Sequence, residues 1–135
     1  MVLHIFRLER GEDILRGCLN QLQLRGLQSG WIVGLGAVSR LRIAWWNPAT
    51  LSYEEREWAE QAEVCCLTGN VATDEEGSLI LHLHVVAALS DGRCVGGHVL
   101  EGCIVNPTLE VAVLPVAPLL RRVLDPTTRL RLLAP

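Results

Sequence analysis

The sequence predicts an α+β domain in which a central, mainly antiparallel β-sheet carries one main helix. Three observations support this class. At least six short stretches have the alternating or fully apolar patterns of strands, whereas one stretch has apolar residues at helical spacing. The strand-like stretches mostly follow one another directly, which favours antiparallel pairing. A length of 135 residues fits one domain, so we expect residues 1–135 to form a single unit.

The first strand is expected at residues 2–8, followed by the helix. Gly11, Glu12 and Asp13 precede it, and acidic residues in a first turn suit the positive end of the helix dipole. Arg25 and Gly26 provide a C-terminal stop. The residues expected to pack on the sheet recur at helical spacing and are Ile14, Leu15, Cys18, Leu19 and Leu22.

Residues 30–46 form a long strand pattern interrupted by three glycines, which predicts bulges or close backbone approaches. A turn at residues 47–50 and a polar strand at 51–58, with a solvated charged run at 54–57, complete a hairpin. Residues 62–72 are apolar and compact, as in a buried strand, and an acidic loop follows at 73–77.

The last strand pattern covers residues 104–114, and Asn106–Pro107 could interrupt it. Glu110 lies inside this apolar run, where pairing with an arginine is the simplest interpretation and a catalytic role is the alternative. Prolines at 115, 118 and 126 then predict at most a short helical turn followed by an extended arm.

Composition limits the classes of function. Half of the residues are apolar, which predicts an apolar surface covered by further copies of the chain. The net charge is −3, and the twelve cations, all arginine, form only short pairs. Nucleic-acid binders usually carry a basic face, so DNA binding by this domain alone is not supported. No apolar run is long enough to span a bilayer, so no membrane association is expected.

Five cysteines are present, and none forms a CxxC pair. An odd number without metal-binding spacing indicates reduced thiols used as small apolar residues. Together with an N-terminus that lacks a signal-peptide pattern, this predicts a cytoplasmic protein.

Three of the four histidines lie within residues 79–102. His82 and His84 share one face of a strand, because side chains alternate. If residues 90–92 form a three-residue loop with Gly92 in the left-handed conformation, His98 on the next strand lies directly opposite His84. A two-residue turn at Asp91–Gly92, or a bulge at Gly96–Gly97, would send His98 to the other face.

Three imidazoles on one rigid patch are a ligand set for a divalent metal, with a fourth position open for water or substrate. Gly96 and Gly97 would leave room beside His98 for a ligand or a neighbouring backbone. The alternative is structural: the histidines would hydrogen-bond to carboxylates or across a subunit interface.

Six short motifs occur in a characteristic order: GED at 11–13, GLGAVS at 34–39, LTGN at 67–70, LHLH at 81–84, GGHVLEG at 96–102 and TLEV at 108–111. Together they resemble the PPC (plants and prokaryotes conserved) domain family, in its stand-alone prokaryotic type. The resemblance covers nearly the whole chain. It implies a homotrimer, a metal site at His82, His84 and His98 with zinc as the first choice, and a link to DNA through plant relatives that carry AT-hooks. An AT-hook core of the Arg-Gly-Arg-Pro kind does not occur in this sequence.

Two functions therefore follow from the sequence. The first is a trimeric binding or regulatory module with a three-histidine metal site. The second is a small metal-dependent hydrolase or lyase acting on a small molecule, in which Glu101 or Glu110 would serve as general base.

Overall fold

The computed structural model describes residues 2–134, which form one α-helix and nine β-strands. In chain order they are β1 His4–Glu9, α1 Ile14–Leu24, β2 Gly30–Asn47, β3 Ser52–Trp58, β4 Ala62–Thr73, β5 Leu79–Ala88, β6 Cys94–Val99, β7 Ile104–Pro115, β8 Arg122–Leu124 and β9 Arg131–Leu133. The helix is too short to cross a bilayer.

The main sheet has the order β1-β7-β2-β4-β5-β6, and β3 pairs with the far end of β2. Every pair of strands in it is antiparallel, so the predicted α+β class is confirmed. The long β2 strand organises the sheet because it pairs with β7, β4, β3 and also the end of β6. Its register shifts beside Gly36, as the interrupted strand pattern predicted.

The helix begins and ends where the sequence predicted, but its acidic residues act differently from expectation. The first turn contains no acidic residue. Asp13 is instead the N-cap, and its side chain accepts a hydrogen bond from the Arg16 backbone N–H at 3.1 Å. Gly26 follows the C-cap with φ of +65°, a conformation that favours glycine.

One face of the sheet is covered by this helix. The buried cluster there is continuous from the helix into the strands and includes Leu8, Ile14, Cys18, Leu22, Ile32, Val38, Leu67, Leu83, Leu109 and Val113, each fully buried. Apolar side chains of a single chain therefore bury this face of the sheet.

The opposite face of the sheet, called here the open face, carries side chains in cross-strand rows. One row crosses six strands, each residue paired with the next: Ile5, Ala112, Val33, Thr68, His84 and His98. The neighbouring row is Leu114, Trp31, Asn70 and His82. Directly paired residues share a face, so the histidines and several exposed apolar side chains lie on the same surface.

Two details of the chain's end differ from prediction. Strand β7 is continuous through Asn106–Pro107, because Pro107 falls where the pairing with β2 is already irregular and needs no ladder hydrogen bond. The expected C-terminal arm is a β-hairpin formed by β8 and β9, called here the C-terminal hairpin. Its loop is held by the Asp125 carboxylate, which accepts hydrogen bonds from the Thr128 N–H at 2.8 Å and hydroxyl at 2.6 Å.

Candidate metal centre

The predicted register of the histidine hairpin is confirmed. Leu89 N–H donates to the Arg93 carbonyl at 2.8 Å across the three-residue loop, and Gly92 has φ of +83°. His84 and His98 are direct cross-strand partners. The even register therefore puts His82, His84 and His98, called here the histidine cluster, on one face.

The three rings lie close together. The Nε2 atoms of His82 and His84 are 3.2 Å apart, and the ring centroids are separated by 4.8, 5.3 and 5.7 Å. One ligand nitrogen from each ring lies within 4.8 Å of the others. Zinc–nitrogen bonds in a tetrahedral site imply nitrogens about 3.3 Å apart. His82 and His84 already have this spacing.

Burial keeps two of these imidazoles neutral. Desolvation, followed by the charge of Arg122 and the other histidines, lowers the pKa of His82 to about 4. Desolvation also lowers the pKa of His98. The Nδ1 atom of His98 is buried without a hydrogen-bond partner. Metal binding requires a neutral imidazole and gives a buried nitrogen a partner, so this donor set fits a divalent metal.

Glycines let the strands around the cluster approach closely. A Cβ at Gly69 would lie 1.9 Å from the His82 carbonyl oxygen, and one at Gly97 would lie 2.7 Å from the Ala44 carbonyl oxygen. Gly96 likewise faces the Val85 carbonyl oxygen. The sequence predicted room beside His98 for a ligand or a neighbouring backbone, and neighbouring backbone lies against both Gly96 and Gly97.

Sequence reasoning missed two side chains that contact the cluster. Tyr53 on β3 stacks on His98 with ring centroids 4.7 Å apart. Arg122 on the C-terminal hairpin places Nη2 3.2 Å from the His82 Nδ1 and 2.8 Å from the Asn70 Oδ1. The one sequence signal for the hairpin was the Asp-Pro-Thr-Thr turn at residues 125–128.

Neither glutamate considered as a general base lies at the cluster. Glu101 forms an ion pair with Arg16 of the helix at 2.8 Å. Glu110 is exposed on β7, paired in register with Arg7, and strands β2 and β4 separate it from the β5 histidines. The structure therefore brings together the three predicted metal ligands and leaves the two predicted carboxylates elsewhere.

Residues 1–117 match the Plants and Prokaryotes Conserved (PCC) domain family, also written PPC. The chain belongs to this family. The matched residues of the PCC domain contain the complete histidine cluster, whereas the C-terminal hairpin with Arg122 lies beyond them.

Two solved structures are closely similar to this PCC-family chain. One is a candidate DNA-binding protein from Bacteroides thetaiotaomicron VPI-5482, with 29% identity and a TM-score of 0.91, covering 98% of this chain and 91% of that one. The other is a metal-containing protein from Archaeoglobus fulgidus, with 28% identity and a TM-score of 0.90, covering 100% of this chain and 94% of that one.

A curated relative is the bifunctional protein GlmU from Synechococcus sp. strain JA-3-3Ab, which is 30% identical over 107 residues. The match covers 79% of this chain and 16% of that protein. The PCC chain thus spans about one sixth of the length of the curated relatives it matches.

The cluster borders open space on the side of His84, which is exposed. A cavity of about 370 Å³ is lined there by His82, His84, Arg122 and Trp31, among others. His82, His84 and His98 would hold a metal whose charge the neutral imidazoles would not cancel. The open space beside His82 and His84 suits a ligand-binding metal better than a closed structural metal.

Proposed function

We propose that this chain is a homotrimeric PCC domain that binds a divalent metal and acts as a binding or regulatory module. His82, His84 and His98 are the proposed ligands, and zinc is the first choice of metal. The observation that carries this proposal is the convergence of three ring nitrogens within 4.8 Å on one rigid sheet face. The metal found in the Archaeoglobus fulgidus relative supports it.

Zinc suits this donor set because neutral imidazoles bind it well and it tolerates a three-protein-ligand site with one open position. The low pKa of His82 means that protons compete weakly with the metal at neutral pH. The antiparallel strands hold the histidines in fixed register, so little ordering is required on binding.

The trimer is proposed to form through the open face. Large apolar side chains there remain exposed in one chain: Ile5 by 67%, Leu35 by 57% and Val33 by 50%. They are contiguous, since the cross-strand rows place them side by side. A patch of this kind usually marks an interaction surface, and a second and third copy are the simplest partners. We treat residues 1–135 as one domain in this assembly.

A role with DNA is proposed only through partners. The Bacteroides thetaiotaomicron relative is a candidate DNA-binding protein. The net charge of this chain is −3, and six of its twelve arginines form surface ion pairs with carboxylates. Neutralising many phosphates needs a basic surface. We also propose a cytoplasmic location, because all five cysteines are free thiols.

A second candidate function is a small metal-dependent hydrolase or lyase. The cavity of about 370 Å³ beside His82 and His84 favours it, because a substrate could reach the metal there. A bound metal would lower the pKa of a coordinated water and supply a nucleophile. Glu101 or Glu110 would serve as general base only after leaving its present position, so the module is preferred.

The deciding experiment is elemental analysis of the purified protein after growth with zinc, iron and manganese. We expect about one metal per chain in the wild type and loss of that metal in the double variant His82→Ala/His84→Ala. The matched control is His4→Ala, which removes the fourth histidine, on β1 and outside the cluster. It should keep the metal.

Two results would contradict the proposal. One is a wild-type protein without metal after growth in all three. The other is equal metal content in the wild type and the double variant, which would place the metal outside the cluster.

A further inference from the structure

Arg122 is a buried cation that has no carboxylate partner among residues 2–134. Its residue is 5% exposed. The six arginine–carboxylate ion pairs among residues 2–134 all use other arginines, namely Arg7, Arg16, Arg40, Arg42, Arg93 and Arg131. A guanidinium removed from water normally requires a negative charge or full hydrogen bonding.

The hydrogen bonds of Arg122 do not fill this need. Nη1 donates to the Arg131 carbonyl at 2.8 Å and Nη2 to the Asn70 Oδ1 at 2.8 Å, and both acceptors are neutral. The Nε atom is buried and has no partner. The guanidinium is thus anchored by two neighbours and still carries its charge unbalanced.

The contact between Arg122 and His82 depends on which ring nitrogen of His82 carries the proton. His82 Nδ1 lies 3.2 Å from Arg122 Nη2 and accepts a hydrogen bond only when it is unprotonated. His82 Nε2 faces His84 Nε2, so His82 would hold a metal through Nε2 and would then carry its proton on Nδ1. In that state Nδ1 and Nη2 would both be donors, and Nη2 would be free to donate to another acceptor.

Open space lies where that acceptor would sit. Arg122 lines the cavity of about 370 Å³ together with His84 and Trp31. It also lines a second cavity of about 210 Å³ together with His98 and Tyr53. The first cavity has apolar walls as well, contributed by Trp31, Leu132 and Leu133.

We propose that the histidine cluster and Arg122 together bind a small organic carboxylate. One carboxylate oxygen faces the position of the metal, and the other accepts hydrogen bonds from Arg122. A short apolar chain on the ligand lies against Trp31 and Leu132. The arrangement rests on the proposed metal site for its first contact and on Arg122 for its second.

The apolar walls of the larger cavity favour a carboxylate over a phosphate. The donors of Arg122 match a carboxylate in a bidentate or shared geometry. A phosphate dianion would bring a second charge and three oxygens against apolar side chains. The size of the larger cavity is at the lower end of the range for small-molecule sites, which suits a ligand of a few carbon atoms.

Titration calorimetry of the zinc-loaded protein with butyrate tests this inference. We expect saturable binding of butyrate, no binding of 1-butanol, and weaker binding of inorganic phosphate. Arg122→Gln should weaken butyrate binding by roughly 10- to 100-fold, the usual worth of a charged hydrogen bond. Arg121→Gln is the matched control, because its side chain is exposed and adjacent in sequence, and it should bind butyrate as the wild type does.

A second variant, Asn70→Asp, tests the role of the Arg122 charge without removing the Arg122 side chain, in case Arg122→Gln fails to fold. It supplies an internal carboxylate of the same shape 2.8 Å from Nη2, so the C-terminal hairpin stays attached while the charge of Arg122 is neutralised. Butyrate binding should fall by a similar factor in this variant.

Zinc is measured in the same samples. Wild-type protein that holds zinc and fails to bind butyrate, or variants of Arg122 and Asn70 that bind it unchanged, would overturn the inference and leave the metal site standing. Tighter binding of phosphate than of butyrate would overturn the ligand class. Arginine-dependent butyrate binding in a wild type that takes up no zinc would overturn the metal contact alone.

Discussion

The two faces of the sheet differ in how completely a single chain buries their side chains. On the helix face, Leu22 and its neighbours are fully buried by side chains of the same chain. On the open face, Leu35, Val33 and Trp31 are about half exposed, and the histidine cluster and Arg122 lie beside them. The helix face supplies stability, whereas the open face presents exposed apolar area, three histidine rings and a buried guanidinium with no carboxylate partner among residues 2–134.

Apolar residues of the same type therefore have different roles on the two faces. A leucine under the helix contributes to folding of one chain, while a leucine on the open face contributes only when something covers it. Substitutions on the two faces should therefore change different measurements.

The largest effect is expected from Leu22→Ala, which removes a fully buried side chain from under the helix. Such a truncation leaves a cavity and lowers the free energy of unfolding by about 2–5 kcal/mol. The matched control is Leu24→Ala on the same helix, where the side chain is 79% exposed. Urea unfolding should show a change of well under about 1 kcal/mol for the control. Equal losses in the two variants would contradict the assignment of the helix face.

The sequence predicted the helix face almost completely, because its information is local. The apolar spacing from Ile14 to Leu22 fixed the helix, and Gly26 marked its end. The histidine cluster was also predictable from local sequence, since the loop at 90–92 determines the register of His84 and His98.

Arg122 could not be predicted, because its place depends on long-range packing. The residue lies 40 positions from His82 in the chain, and the short C-terminal hairpin that carries it has only three residues per strand. Propensity in so short a segment is weak, and prolines nearby favoured an extended arm. Tyr53 was missed for a similar reason: its strand reads as a solvated hairpin, and only the pairing of β2 with both β3 and β6 brings it to His98.

A second, smaller effect is expected on the open face from Leu35→Asp. If three copies meet there, each loses burial of one leucine, about 1.5–3 kcal/mol per chain, and gains a desolvated carboxylate. Sedimentation at micromolar concentration should show a trimer for the wild type and a monomer for the variant.

The control for assembly is Leu24→Asp, which adds the same charge at an exposed leucine of the helix. It should sediment as the wild type does. A wild type that sediments as a monomer would remove the proposed trimer, and a trimer that survives Leu35→Asp would move its interface away from this part of the open face.

The smallest effect is a dependence on pH that belongs to the open face and should be measured in metal-free protein. The pKa of His82 is lowered to about 4 in the folded chain, mainly by desolvation, from an ordinary value of 6.5. Between these values the unfolded chain binds more protons than the folded one, so the free energy of unfolding falls as the pH is lowered from about 6.5 toward about 4. The variant His82→Gln keeps a polar side chain that does not titrate, so the free energy of unfolding should depend less steeply on pH. The remaining dependence should come from His98, whose pKa is also lowered by burial.

Urea unfolding in the presence of a chelator measures this change in slope across the pH range. His4→Gln, outside the cluster, is the control. A slope in His82→Gln as steep as in the wild type would show that His82 is already solvated in the metal-free chain, and that the open face is wetter around the cluster than its neighbours on β4 and the C-terminal hairpin indicate.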